Sequence, residues 1–281
     1  MYKLNSEYYR FEEINYNKGI LDSCIDATYV LHLENNGRID KVLSQLEIVN
    51  ISKQVYIMYN AGFKKTNKIL PKYISSYDLV DAYLQIFTHA NNNNYNNVLI
   101  LEDDFIFDNK IFNPPISDRI LDFMDNQTNK VFSYALGCTP FLLFPVSLYT
   151  HKVFSGAATH AVIYTIEFRE EILSLNTNNI SDWDEEIRKY NFYCYYKPIC
   201  YQLFPVTDNI LTWGRGGGTI ETCNFWVKKL IIPLNKLIQF DKYYEPHFSI
   251  LYIIGFLFPC LIIFLILKLI LFLSKKLNNK V

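Results

Sequence analysis

The chain has 281 residues, 50% of them hydrophobic and 20% charged, with a formal net charge of -1. That length holds one sizeable domain or two small ones around a real apolar core, and the composition excludes a chain dominated by disorder. A near-neutral charge offers no basic surface to a nucleic-acid backbone, which sets nucleic-acid binding aside.

The first residues, MYKLNSEYYRFEEINYNKG, are polar and mixed in charge and lack the apolar run of a secretory signal. Residues 1–24 read as an N-terminal arm ahead of a domain over 25–220. Within it ATYVLHL (27–33) predicts a strand, RIDKVLSQLEIV (38–49) an amphipathic helix with Ile39, Val42, Leu43 and Leu46 on one side, and KQVYIMY (53–59) a second strand. SSYDLVDAYLQIFTHA (75–90) predicts a helix opened by a Ser75/Asp78 capping box, and the Asn tract at 91–97 a polar loop. Val98 to Leu101 then form an unbroken apolar run, the pattern of a strand buried on both faces. Strand, helix, strand, helix, strand predicts a parallel α/β sheet with its carboxyl ends on one ligand-binding rim.

Glu102, Asp103 and Asp104 follow that strand and stand on the rim. Strand alternation puts Glu102 and Asp104 on one side and Asp103 on the other, unless the loop turns both Asp inward. Crowded carboxylates raise at least one pKa, which a divalent cation relieves, and oxygen ligands of this kind suit Mg²⁺ or Mn²⁺. The competing reading is a solvated acidic turn. Asp108 is a weaker candidate to support the group.

Beyond it, SDRILDFMDN (117–126) predicts a helix, followed by three mostly extended segments up to Thr165. A short helix from Asp182 to Tyr190, two aromatic strands (FYCYYK and ICYQLF) and a glycine-rich loop, TWGRGGG, complete the domain. Ser181 and Asp184 have capping-box spacing at that helix start. Trp183 and Trp213 are candidates to stack on a ligand face, against the commoner role of core aromatics, and Arg215 to meet a phosphate. The six cysteines are scattered without a C-x-x-C pair, which fits buried thiols, with a Cys194–Cys200 bridge as the alternative.

Residues 221–247 read as an amphipathic juxtamembrane segment and 274–281 as a basic tail. Between them Phe248 to Leu273 is apolar on every face, long enough to cross a bilayer core of roughly 20 helical residues. A buried core helix rarely stays apolar all round for so long. The expectation is a single-pass C-terminal anchor with the domain on the cytosolic side, and a domain that remains folded when residues from 247 onward are removed. Lys275, Lys276 and Lys280 beyond the span weigh against that orientation.

Several segments, taken in order, resemble glycosyltransferase family 25. YVLHLENNGRIDKVLSQL is similar to that family's first strand, polar loop and Arg-bearing helix, VLILEDDFIF to its strand ending in Glu-Asp-Asp, and FSGAATHAVIYTIEF to its glycine-containing segment. SDWDEEI and YYKPICYQLF are similar to a later acidic helix start and a strand with a Pro and a Gln. The resemblance covers roughly 27–213, with His32 and Glu34 standing where the family carries Asn and Asp. It implies a GT-A (Rossmann-like) nucleotide-sugar fold, a UDP-sugar donor and Mn²⁺ or Mg²⁺. On that basis Asp103 and Asp104 hold the metal, with His160 completing it. Leu33, Glu34, Arg38, Glu102 and Asp103 lie where the donor enters, and Asp182 or Asp184 is the base of an inverting hexose transfer. Galactose or glucose is the implied sugar, and a glycan, lipid-linked or protein hydroxyl the acceptor. The alternatives are a catalytically inactive membrane scaffold or envelope protein that keeps the same fold, or another metal-dependent phosphate-handling enzyme such as a phosphotransferase or nuclease, for which the chain shows no P-loop pattern.

Overall fold

The computed structural model describes residues 2–203, 229 and 248–278. In chain order the strands are β1 (Tyr9–Asn15), β2 (Ala27–Leu33), β3 (Gln54–Asn60), β4 (Asn97–Glu102), β5 (Phe105–Phe107), β6 (Phe132–Pro145), β7 (Thr150–Thr165), β8 (Asn191–Tyr195) and β9 (Cys200–Gln202). The helices are α1 (Ile39–Ile48), α2 (Ser75–Asn92), α3 (Ile116–Asp125), α4 (Ile166–Ser174), α5 (Trp183–Ile187) and α6 (Phe248–Asn278).

Seven strands form one sheet in the order β1-β3-β2-β4-β7-β6-β8. Strands β3, β2 and β4 are parallel, as the alternating pattern predicts. The sheet as a whole is mixed, because β1 and β7 run antiparallel to their neighbours β3 and β4. Residues 9–15 are therefore an edge strand of the domain rather than part of a separate arm, and Leu21 and Cys24 behind them belong to the core. The period of two divides the side chains between two layers. Tyr29, Leu31 and Ile100 meet Tyr83 and Phe87 of α2, Phe168 of α4 and Trp183 of α5. Val30, Leu99 and Leu101 face Val42 and Leu46 of α1 and Ile120 and Phe123 of α3.

Several local expectations change for tertiary reasons. Ser75 does not cap α2: Asp78 is buried and takes the Lys68 ammonium at 2.7 Å and the Asn60 amide at 3.2 Å. The Asn tract is partly helical, since α2 runs to Asn92. Asn91 there accepts the Arg169 Nε–H at 2.8 Å, while Arg169 Nη1 reaches the carbonyls of Asn96 and Tyr164. Cys194 and Cys200 are both free thiols, so they form no bridge. Tyr252 of α6 is buried against β6, so the C-terminal segment is part of the domain's packing as well as an apolar tail.

Arg169 is fully buried and holds α4 to the turn between α2 and β4. Replacing it by Ala strands those carbonyls without donors, and the expected loss is about 3 kcal/mol or more. Denaturant unfolding of Arg169→Ala against the unsubstituted chain measures it; a change below about 0.5 kcal/mol would contradict this reading.

Candidate functional site

The crossover from β2 to β3 goes one way across the sheet and the crossover to β4 goes the other, so the loops after β2 and β4 part at a switch point, the usual crevice for ligands in such sheets. Asp103 donates its backbone N–H to Leu31 O at 3.1 Å, which closes the β4 loop onto the end of β2. Its buried carboxylate then gathers donors from the β2 loop: His32 Nδ1 at 2.9 Å, the Leu33 N–H at 3.1 Å, the Asn36 amide at 2.5 Å and the Arg38 guanidinium. Asn35 and Gly37, at φ 59° and 74°, bend that loop over the carboxylate. Arg38, expected at the donor, thus lies at the acidic group, and Leu33 contributes its backbone. Glu34 donates its N–H to Asn60 O at 2.9 Å, which fixes the loop's base.

Asp104 lies elsewhere. It is buried, and the Gln202 amide donates to its two oxygens at 3.3 and 3.1 Å. Gln202 arrives through the β5–β9 ladder, which pairs it with Phe105. That ladder lies against β6 at Gly137, where a Cβ would meet the Cys200 carbonyl oxygen at 1.8 Å. With its NH₂ directed at Asp104, Gln202 keeps Oε1 buried with no partner among the described residues. Glu102 turns to the other layer and accepts from the Tyr83 hydroxyl at 3.1 Å and Thr159 Oγ1 at 3.3 Å.

Strand β7 brings the fourth acid into range. Its register against β6 shifts between the Gly137↔Ala161 and Thr139↔Ala157 pairs, a bulge of the kind that re-aims groups beside functional sites. Within it Ala158 adopts φ 64°, uncommon for a residue with a Cβ, and donates its N–H to Asp184 at 3.1 Å. Asp184 is therefore no helix cap. That role belongs to Asp182, whose carboxylate accepts the Glu185 N–H at 3.0 Å.

Electrostatics separate the four acids. Burial raises Glu102 to about 8, and among its neighbours Asp104 repels it most, then Asp184, with Asp103 contributing least, the order strand alternation predicts. Burial and Asp103 raise Asp104 to about 7 against the pull of Arg38 and Gln202. Asp184 is raised to about 6 by burial and Asp182, with the Ala158 N–H acting the other way.

Other expected site residues are placed apart. His160 is not brought to the acids: its Nε2 is 3.2 Å from the Cys200 carbonyl, its ring also meets the Ala158 backbone, and burial lowers its pKa to about 4. No group of three or more His, Cys, Asp and Glu is arranged to hold a metal among the described residues. The expected Asp103–Asp104–His160 triad is therefore not assembled. Asp108 caps the turn at Asn109–Phe112 and pairs with Lys110 at 3.0 Å. Trp183 is core, stacked on Tyr83 with ring centroids 4.5 Å apart and donating to the Tyr164 hydroxyl at 3.0 Å. Trp213, Arg215 and the glycines around them lie outside the described residues, as does the 221–247 segment apart from Lys229. Tyr83, Thr159 and Asn36 have no signal in sequence that marks them for the site. His32 and Gln202 do, as a departure from the family's first loop and as the Gln of its late strand.

The carboxyls make the folded chain sensitive to pH. A carboxyl raised on folding holds a proton that the unfolded chain releases above about pH 4, so its contribution is present below that value and is lost as pH rises through the folded pKa. With Glu102 at about 8 and Asp104 at about 7, the protein is expected to lose thermal stability as pH rises from about 6.5 to 8; below that range the buried His160, lowered to about 4, works in the opposite direction. Glu102→Gln with Asp104→Asn should flatten most of that slope. Asp81, raised to about 7 by burial beneath Tyr2 and Tyr9, leaves a residue of it. Melting curves across that range in chelator test this; equal slopes for the two proteins would reject it.

No pattern of a known protein family matches the chain, and no curated protein matches it. Among solved structures, it is similar to A197 from STIV, with 10% identity and a TM-score of 0.40 over 65% of this chain and 86% of that one. It is similar to a glycosyltransferase involved in the glycosylation of the major capsid of PBCV-1, with 12% identity and a TM-score of 0.40 over 66% of this chain and 95% of that one. A UDP-glucose pyrophosphorylase complexed with UDP-glucose is similar at 12% identity and a TM-score of 0.35, over 62% of this chain and 74% of that one. These likenesses are too distant to transfer any residue's role, so the chemistry of this site rests on the chain's own side chains.

Proposed function

We propose that the chain is a membrane-anchored, metal-dependent glycosyltransferase of GT-A type. It transfers a hexose, galactose or glucose, from a UDP-sugar to a hydroxyl of a glycan, lipid-linked or protein acceptor, with inversion. The observation that carries this reading is the gathering of Glu102, Asp104 and Asp184 at the carboxyl end of β4, each with its pKa raised by burial and by a neighbouring carboxylate. Carboxylates so crowded favour a cation among them.

The residues present fit Mn²⁺ or Mg²⁺. Asp104 offers a carboxylate whose protein partner is one amide, and Gln202 offers a buried oxygen with no partner among the described residues. Ions of this class use one or two carboxylates and complete their shell with water and phosphate oxygens, so a cage of three protein ligands is not required. Asp103 would join them were its partner Arg38 drawn to a diphosphate, for which a guanidinium is well shaped. When bound, the ion stabilises the charge of the departing diphosphate. Glu102 stays mainly protonated near neutral pH and braces the group through Tyr83 and Thr159.

Asp184 is the base in this reading. With a pKa of about 6 it is ionised at neutral pH and still basic enough to take a proton. The acceptor oxygen bonds to the anomeric carbon, the bond from that carbon to the diphosphate oxygen breaks, and the acceptor proton passes to Asp184. Asp182 is left with the cap of α5. The apolar Tyr252–Lys275 stretch of α6, long enough to cross a membrane, supplies the anchor, with the domain on the cytosolic side.

One feature favours a silent scaffold instead: Asp103 already accepts from four groups of its own chain. Titration calorimetry separates the two. UDP is expected to bind the detergent-solubilised chain in Mn²⁺ and at least about tenfold more weakly in chelator or in Asp104→Asn, a loss of about 1.4 kcal/mol. No metal-dependent binding would leave the scaffold. In transfer assays Asp184→Asn should lower turnover by about 10²-fold or more with UDP affinity nearly unchanged. Turnover within a few-fold of the unsubstituted chain would remove Asp184 from the role.

A further inference from the structure

Helix α6 is packed on the domain over its first turns. The buried Tyr252 brings its hydroxyl 3.5 Å from Cys138 Sγ. A turn later a Cβ on Gly255 would lie 3.4 Å from the backbone carbon of Phe141, and the Phe256 ring stacks on His151 at 5.4 Å. His151 stands opposite Pro145 in the β6–β7 ladder. Later helix residues thus meet positions progressively nearer the β6–β7 turn at residues 146–149, and the helix leaves the domain toward that turn.

Beyond that contact Leu257 and Phe258 are exposed, and so is each large apolar side chain from Leu261 to Leu273. From Leu257 to Lys275 the helix covers roughly 28 Å at about 1.5 Å per residue, close to the roughly 30 Å of a hydrocarbon core. A bilayer around that stretch begins where the domain ends, so the surface beside the helix's exit lies at the lipid interface. That surface is apolar. Phe144 is 45% exposed, Val146 44%, Leu148 85% and Phe154 56%, and the two Phe rings meet edge to face at 6.5 Å. Lys152, hydrogen-bonded to Asn191 at 2.9 Å, keeps its ammonium 5.6 Å from the Phe154 ring, an amphipathic arrangement suited to a headgroup layer.

We propose that the β6–β7 turn, through Phe144, Val146, Leu148 and Phe154, inserts into the interfacial layer of the bilayer that α6 crosses. The domain is then held on the membrane at two points and cannot swing freely on its tail. The inference rests on reading α6 as a membrane span. Its consequence is positional: β7 runs from this turn to Ala158 and Thr159 at the carboxylates, at most roughly 33 Å at about 3.3 Å per residue, which sets how far the site stands from the bilayer.

The test uses the full chain reconstituted in phosphatidylcholine–phosphatidylglycerol vesicles, with tryptophan emission read as the difference from the unsubstituted chain. Leu148→Trp, at an exposed position, is expected to lose about half its emission to lipids brominated near the headgroup end of the chain, the depth an interfacial segment reaches. Leu265→Trp, within the span, should be quenched by lipids brominated near the chain terminus. Quenching of the Leu265→Trp variant without quenching of Leu148→Trp would overturn the inserted turn and leave the span standing. Quenching of neither would overturn the span and this inference with it. A blue-shifted but unquenched signal from Leu148→Trp would mean that protein covers the turn, which also overturns it.

Discussion

Carboxyl groups at the end of a buried strand repel one another, and no apolar neighbour relieves that repulsion. Strand β4 is paired on both sides and sealed on both faces, so its acids emerge with little room to spread. The chain answers in two ways. Asp103 is neutralised internally by Arg38, with His32, Asn36 and a backbone N–H beside it. Glu102, Asp104 and Asp184 are left with hydroxyl and amide donors and hold protons more tightly instead. The first answer stabilises the fold. The second leaves an unmet demand for positive charge.

That division changes how the Glu-Asp-Asp sequence reads. Two adjacent Asp look interchangeable along the chain, yet the pleat sends them to different surroundings. Asp103 ties the loops after β2 and β4 together at the switch point, whereas Asp104 faces Gln202 and its unpartnered oxygen. A loss of Asp103 therefore disturbs the crevice itself, while a loss of Asp104 releases only the Gln202 amide and leaves the loop contacts in place. The tip of the loop after β2, whose long-range contacts converge on one carboxylate, is the part most easily rearranged when a competing anion meets Arg38.

The central fold was legible because it depends on short-range pattern. The apolar runs of β2, β3 and β4 and the helical spacing of α1 and α2 sit within a residue or two of where periodicity puts them. Strand β1 was not, since YRFEEIN is an edge strand with one buried residue, and its alternation of Tyr9 and Phe11 with Arg10 and Glu12 breaks at Glu13. The two cap assignments failed because spacing is degenerate. Ser181/Asp184 and Asp182/Glu185 have the same three-residue separation, and the β7 bulge decides between them by bringing the Ala158 N–H to Asp184. Asp78 likewise follows Lys68 rather than Ser75. Gln202 depends on a close approach of β9 to Gly137, a contact across more than sixty positions that no local window contains.

The C-terminal helix shows the same limit from the other side. Its apolarity is visible in sequence and fixes its length, but not that its first turns belong to the domain. Tyr252 fills a space lined by Cys138, and Gly255 is small enough to let the helix lie against the β6 backbone. Removing the segment would uncover that surface, so a tail that reads as a separable anchor is also part of the packing. The same strands that receive the helix continue into β7 and its bulge, where Ala158 and Thr159 meet Asp184 and Glu102. The apolar helix and the carboxylate group therefore share one hairpin: α6 packs on β6 at Cys138, and β7, the partner strand of β6, carries Ala158 and Thr159.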